Sequence, residues 1–209
     1  MKYTKIRETA FDEIQLNAGV LSAEFTPASG EIGDIIAATS GGISFEATPT
    51  YTDFGEDIDN CPKNTKELKK LDSWEVKMSG TFVTVTKDSA KQMVGAADAT
   101  QESTVDKITP RNDVADTDFE DIWLVGDYSS KNGEVNGGFI AIHMFNALST
   151  GGFKLQTADK SKGTMSFEFT GHYSIADQTK VPFEIYIKTG ADEAAVAASD
   201  ATDESSVAE

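Results

Sequence analysis

Hydrophobic and polar positions alternate strictly along residues 163 to 187. Met165, Phe167, Phe169, Gly171, Tyr173 and Ile175 interleave with Thr164, Ser166, Glu168, Thr170, His172 and Ser174, the two-residue period of a strand with one buried face. After a polar turn from Ala176 to Lys180, Val181, Phe183, Ile185 and Ile187 alternate with Pro182, Glu184, Tyr186 and Lys188, which predicts a second strand paired with the first as a hairpin. Pro182 has no N–H and places the start of that strand at an edge or end.

Elsewhere the pattern predicts more strands and one helix. Between Phe11 and Phe25, Ile14, Leu16 and Ala18 are separated by Asn17 to Gly19 from Val20 and Leu21, a short hairpin. Ile43, Phe45 and Ala47 form a strand after Gly41-Gly42, and Trp74, Val76, Met78, Gly80 and Phe82 form another. The apolar phase then switches to Val83 and Val85, which predicts a bulge or bend near Gly80. A helix over about 87–98 opens at Thr86 or Asp88, with Ala90, Met93, Val94 and Ala97 on one face. The runs IWLV and FIAIHMF within 119–128 and 138–146 suit strands covered on both faces, with Asn132-Gly133 as the turn between them. The expected fold is mainly β: a two-sheet β-sandwich or half-barrel with one flanking α-helix, occupying residues 1–190.

From 49 to 71 the alternation stops, leaving a long extended loop, and loops of this length are more often functional than accidental. Its first limb carries Asp53, Glu56, Asp57 and Asp59, its second Lys63, Lys66, Lys69 and Lys70 against a single Glu67, with Tyr51, Phe54 and Ile58 as isolated apolar groups. Such a loop has a charge dipole and apolar anchors for a partner.

Composition narrows the function. The formal charge is −17, and the tail 191–209 holds six of the acidic residues and no Lys or Arg, so residues 1–190 still carry −11. That tail lacks the apolar groups to offset its ordering entropy and is expected to be disordered. So acidic a body cannot gain affinity by displacing counterions from nucleic acid and is repelled by anionic membranes. The single cysteine, Cys61, permits no intrachain disulfide and fits a reducing cytoplasm. No stretch approaches the ~20 apolar residues of a spanning helix, and the N-terminus has no apolar signal core.

Catalytic chemistry finds little support. His143 and His172 are the only histidines, no nucleophile motif accompanies them, and structural roles are expected for both. Asp53-Phe54-Gly55 spells a kinase metal-binding tripeptide without the Gly-rich loop or catalytic loop it needs. Two acidic clusters, Asp53, Glu56, Asp57 and Asp59, and Asp116, Asp118, Glu120 and Asp121, lack calcium-loop spacing and read as solvated carboxylates. Trp74 and Trp123 sit in core-like strands rather than in an aromatic cleft of the kind a glycosidase uses. The chain is expected to be no enzyme, with no cofactor or metal.

FEDIWLVGDYS (119–129), GGFIAIHMFNALSTGGFKLQ (137–156), GTFVTVTKDSAKQMVGAADA (80–99) and the stretch 163–187 together resemble, in their order, the major tail tube proteins of tailed bacteriophages of the siphophage kind. The resemblance spans roughly residues 11 to 188. It implies two packed sheets with a flanking helix, and hexameric rings stacked into a conduit for DNA ejection, with the sheets of neighbouring subunits merging into a ring barrel. It also implies tape measure, tail terminator and distal tail proteins as partners, assembly in a bacterial cytoplasm, and a virion tail as final location. The loop 49–71 would then make the contact between rings, through Tyr51, Asp53, Phe54, Glu56, Asp57, Ile58, Asp59, Lys63, Lys66, Lys69 and Lys70. An acidic lumen would let DNA pass without binding. Three alternatives stay open: a monomeric β-sandwich module binding carbohydrate or a host surface, an acidic β-sandwich hydrolase, and a secretion-system tube protein of the same fold.

Overall fold

The structure, a computed structural model, describes residues 14–15, 17–127 and 138–188. The turn expected at Asn132-Gly133, the tail 191–209 and much of the first limb of the 11–25 hairpin lie outside the described residues.

The described chain is mainly β. In order it forms β1 (Val20–Ser22), β2 (Phe25–Thr26), β3 (Glu31–Ile32), β4 (Thr39–Asp53), β5 (Lys69–Phe82), helix α1 (Lys87–Val94), β6 (Ala97–Glu102), β7 (Val105–Pro110), β8 (Glu120–Asp127), β9 (Phe139–Ser149), β10 (Lys154–Gln156), β11 (Thr164–Gly171) and β12 (Phe183–Lys188). One eight-stranded sheet runs β1-β8-β9-β11-β5-β4, with β10 added to β11 and β12 to β9; β2-β3 and β6-β7 are separate two-stranded ribbons. Every pairing is antiparallel. The large sheet curls so that its halves face each other: Phe183 of β12 stands 5.7 Å from Phe45 of β4 and 5.4 Å from Trp74 of β5, centroid to centroid. The barrel stays open among the described residues.

The hairpin expected between the two limbs of 163–187 does not form. β11 pairs β5 along Met165–Gly171 and reaches β9 only at Ala147–Ser149, while β12 pairs β9 over Phe139–Met144. Both strands thus share one edge of β9, one after the other. The changeover falls at Asn146, whose φ of 47° breaks the ladder. There the Phe145 N–H donates to Pro182 O (3.0 Å) and the Asn146 side-chain amide to His172 O (3.1 Å). Alternation identified the strands correctly, but cross-strand choice depends on residues far away in sequence.

Burial in β11 follows the pattern. Met165, Phe167, Phe169 and Gly171 are buried, and Phe82 and Phe167 stack with centroids 4.1 Å apart. The IWLV run splits between two cores. Ile122 and Leu124 join the main cluster with Leu21, Val76, Met78, Phe82, Met93, Met144 and Phe169. Trp123 and Val125 face the other way, onto Phe25, Phe139 and Ala141. A strand buried on both faces reads as continuous apolar sequence for this reason.

The irregularity near Gly80 lies mainly on the partner strand. β4 places Ile43 opposite Gly80 and Thr39 opposite Phe82, so two extra residues are taken up at Gly41 and Gly42, with φ of 85° and 86°. Glycine fills these positions without steric cost. Strand β5 ends at Phe82, so Val83 and Val85 belong to the connection, with Val85 exposed.

The helix is shorter than the 87–98 expected. Thr86 caps it: its hydroxyl accepts from the Ser89 N–H (3.2 Å), and the Ser89 hydroxyl accepts from the Thr86 N–H (2.8 Å). Gly95, at φ 82°, ends it, donating to Lys91 O and Gln92 O. Ala97 is buried as anticipated, but at the start of β6. The β6-β7 ribbon was not legible in sequence because it is largely exposed on both faces and shows no alternation. Arg111 anchors its base, with one guanidinium nitrogen 2.6 Å from both Asp118 oxygens and Nε 3.1 Å from Asp98.

Candidate assembly surfaces

The segment 49–71 is only partly loop. Strand β4 continues to Asp53 and β5 begins at Lys69, so a two-stranded arm carries a tip of residues 54–68. Pairing of β5 with β11 begins at Val76, so the arm overhangs the sheet by residues 69–75, about 20 Å at ~3.3 Å per residue. Thr50 pairs Ser73 but Tyr51 pairs Leu71, leaving Asp72 as a bulge residue that sharpens the twist. The Thr52 hydroxyl donates to the Asp72 carboxylate.

The tip is organised around Asp53. Its carboxylate accepts from the N–H of Asn64 (2.7 Å) and of Gly55 (2.9 Å), and these bonds hold its pKa below the ordinary carboxylate value. Phe54 N donates to Leu68 O, closing the neck, and a 3-10 turn occupies Lys66–Leu68. Glu56 pairs with Lys63 at 2.8 Å, which raises the Lys63 pKa. Among the described residues Lys66 pairs only with its neighbour Glu67, at 3.5 Å, and Lys70 with Asp72 at 3.9 Å. Lys69 donates to Asn64 and lies over the Tyr51 ring, 5.4 Å from its centroid. The two limbs therefore partly neutralise each other instead of forming one dipole. Asp57, Asp59 and Lys69 make no ion pair among the described residues. Tyr51, Phe54, Ile58 and Leu71 are all exposed.

A second surface was missed in the sequence. Ile185 and Ile187, expected on the buried face of β12, are 49% and 61% exposed. They lie beside Ile142 and Ile140 of β9, their direct partners in the register. Cover on β12 is confined to two side chains on opposite faces: Phe183 packs on Phe45 and Trp74, and Tyr186 packs on Trp123, 5.5 Å away, while Glu184 and Lys188 are exposed. Strand β12 pairs only β9, and β4 pairs only β5, so each presents an unpaired edge among the described residues. A strand edge of 15 residues, as in β4, is a template for pairing with another chain.

The remaining polar candidates have local partners. His143 stacks on Trp123 at 3.8 Å, and its Nε2 lies 3.1 Å from Asp121. The hydrogen bond from His143 holds Asp121 below its ordinary pKa. His172 Nδ1 lies 3.1 Å from Asn146 O. Asp118 is tied to Arg111 and to the Ala115 N–H (2.8 Å). Among the described residues no group of three His, Cys, Asp or Glu side chains is placed to hold a metal ion, and no helix is long and apolar enough to cross a membrane.

No protein-family model and no curated protein sequence matches the chain. Solved structures to which the chain is similar include two from tail-like tubes. One is the tail of an empty GTA particle with C6 symmetry, at 12% identity and a TM-score of 0.39, covering 75% of this chain and 92% of that one. The other is the cap that terminates the tube of the anti-feeding prophage, at 9% identity and a TM-score of 0.40, covering 73% and 82%. The functional reading rests on the chain's own residues.

Proposed function

We propose that the protein is a structural subunit of a phage-type tail tube, in which copies close into hexameric rings and rings stack into a hollow conduit for DNA. The observation that carries this reading is the apolar row Ile185 and Ile187 left in water on an edge strand, on the same sheet as the unpaired β4 edge. A second copy that covers this row gains roughly 1 kcal/mol per isoleucine, about half the value of full burial. Edges that a monomer must protect become contacts when a head-to-tail ring closes, and the curled, open sheet becomes a segment of one larger barrel. The ordered segments that resemble tail tube proteins in sequence support the same reading. The net charge of −17 suits a wall past which DNA slides, because phosphates find few cations there. Tape measure, terminator and distal tail proteins are the partners of such a tube, and the virion tail is its location. Negative-stain electron microscopy of the purified protein tests the proposal: rings or tubes are expected, and uniform monomers at high concentration would refute it.

A further inference from the structure

Strand β12 ends at Lys188, and the chain continues directly into residues 189–209. The edge of β12 away from β9 has no strand partner among the described residues, and Ile185 and Ile187 stand 49% and 61% exposed on the strand. β12 is thus open both along its edge and on the face that carries its apolar row. The segment that follows holds a complement within reach: the turn former Gly190, then Glu193, then Ala194-Ala195-Val196-Ala197-Ala198, the longest apolar run after Lys188. A segment that follows a strand at once can lie along its edge only by folding back antiparallel, and the position of the acidic residues selects the register. A two-residue turn over Thr189-Gly190 would set Asp192 opposite Ile187, and a three-residue turn ending at Ala191 would set Glu193 there. A four-residue turn over 189–192 keeps Asp192 in the turn and sets Glu193 opposite Lys188, Ala194 opposite Ile187, Val196 opposite Ile185 and Ala198 opposite Phe183. One residue more loses the charge pair and moves Val196 opposite Tyr186, on the other face.

We propose that residues 193–198 form a detachable strand on the β12 edge of their own chain, covering Ile185 and Ile187 until a neighbouring copy takes their place. This rests on the tube reading and adds a control to its β12 contact. Alone, a run of alanines cannot offset its ordering entropy, but β12 already supplies the backbone partners and the apolar row. Alanine is a poor strand residue and buries little area, so the cover is weak and yields to a partner with larger side chains. The monomer's most exposed assembly edge is thereby shielded without being blocked.

Disulfide trapping in the full chain tests the contact. With Cys61→Ser, the pair Ile185→Cys and Val196→Cys should oxidise within one chain at least fivefold faster than Ile185→Cys with Ala201→Cys, a comparison in which loop length alone accounts for less than about twofold. Equal rates, or bonds formed only between chains, would overturn the proposal whether or not rings form. Ala195→Pro with Ala198→Pro removes one N–H donor at each parity of the strand and leaves the charge unchanged. That variant should lower the concentration at which rings appear at least threefold, read by sedimentation velocity. An unchanged onset would overturn the tail's control of assembly. If neither wild type nor variant forms rings, the tube reading falls and that control with it, while the disulfide still decides the contact.

Discussion

Strands β11 and β12 hang from the same edge of β9 and carry the same alternation, yet they end in opposite circumstances. In β11 the apolar row Met165, Phe167 and Phe169 is covered by the facing half of the sheet and is almost wholly buried. In β12 the equivalent row keeps Phe183 against Phe45 and Trp74 and then runs out of cover, so that Ile185 and Ile187 meet water. One row is a finished contact within the chain, and the other is a contact left for another molecule. A strand's period says which side chains share a face; what covers that face is decided by tertiary neighbours or by a partner. The β4-β5 arm repeats the contrast along a single pair of strands, from buried Val76 and Met78 to exposed Tyr51 and Leu71.

Substitutions should separate the closed half from the open one. The largest effect belongs to Phe169→Ala, which empties a fully buried site and should cost about 3–5 kcal/mol by urea denaturation. Next is Asp118→Asn. Burial pushes the Asp118 carboxyl up, but the Ala115 N–H and the Arg111 guanidinium outweigh it and hold the group below its ordinary value. A depressed folded-state pKa contributes stability that is present above the unfolded value, about 3.9, and is lost as pH falls through the folded value. Asp118→Asn should therefore lower the melting temperature by a few degrees at pH 7 and flatten the loss of stability below about pH 4. Equal pH profiles for the two proteins would contradict that assignment. Thr86→Ala, which removes the α1 cap, should cost about 1 kcal/mol in the same denaturation experiment. Ile185→Asp combined with Ile187→Asp should cost the monomer well under half of the Phe169→Ala loss, because each side chain is already about half in water. A destabilisation comparable to that of Phe169→Ala would show that the β12 row is core after all.

Much of the closed half was legible in the sequence. The strict alternation of 164–171, the doubly covered IWLV run and the helix cap at Thr86 each follow from local rules that the tertiary structure did not override. The partner of β12 was not legible. The choice between β11 and β9 rests on the break at Asn146 and on hydrogen bonds from Phe145 and Asn146 to Pro182 and His172, which no local window contains. The arm was half legible: Tyr51, Phe54 and Ile58 stood out as apolar residues in a polar stretch, but Pro49 and the Asp72 bulge disguised eight residues of strand, 49–53 and 69–71, as loop. The ion pair between Glu56 and Lys63 was hidden for a related reason, since opposite charges on two limbs can face a partner or each other until the turn is known.

The central claim is that the apolar row of β12 is an interface between copies. Sedimentation velocity of the wild-type protein and of the chain with Ile185→Asp and Ile187→Asp, at matched concentrations, tests it most directly. The account predicts ring-sized or larger species for the wild type and monomers that still melt cooperatively for the variant. A wild-type protein that sediments as a monomer throughout, or a variant that assembles as the wild type does, would contradict it.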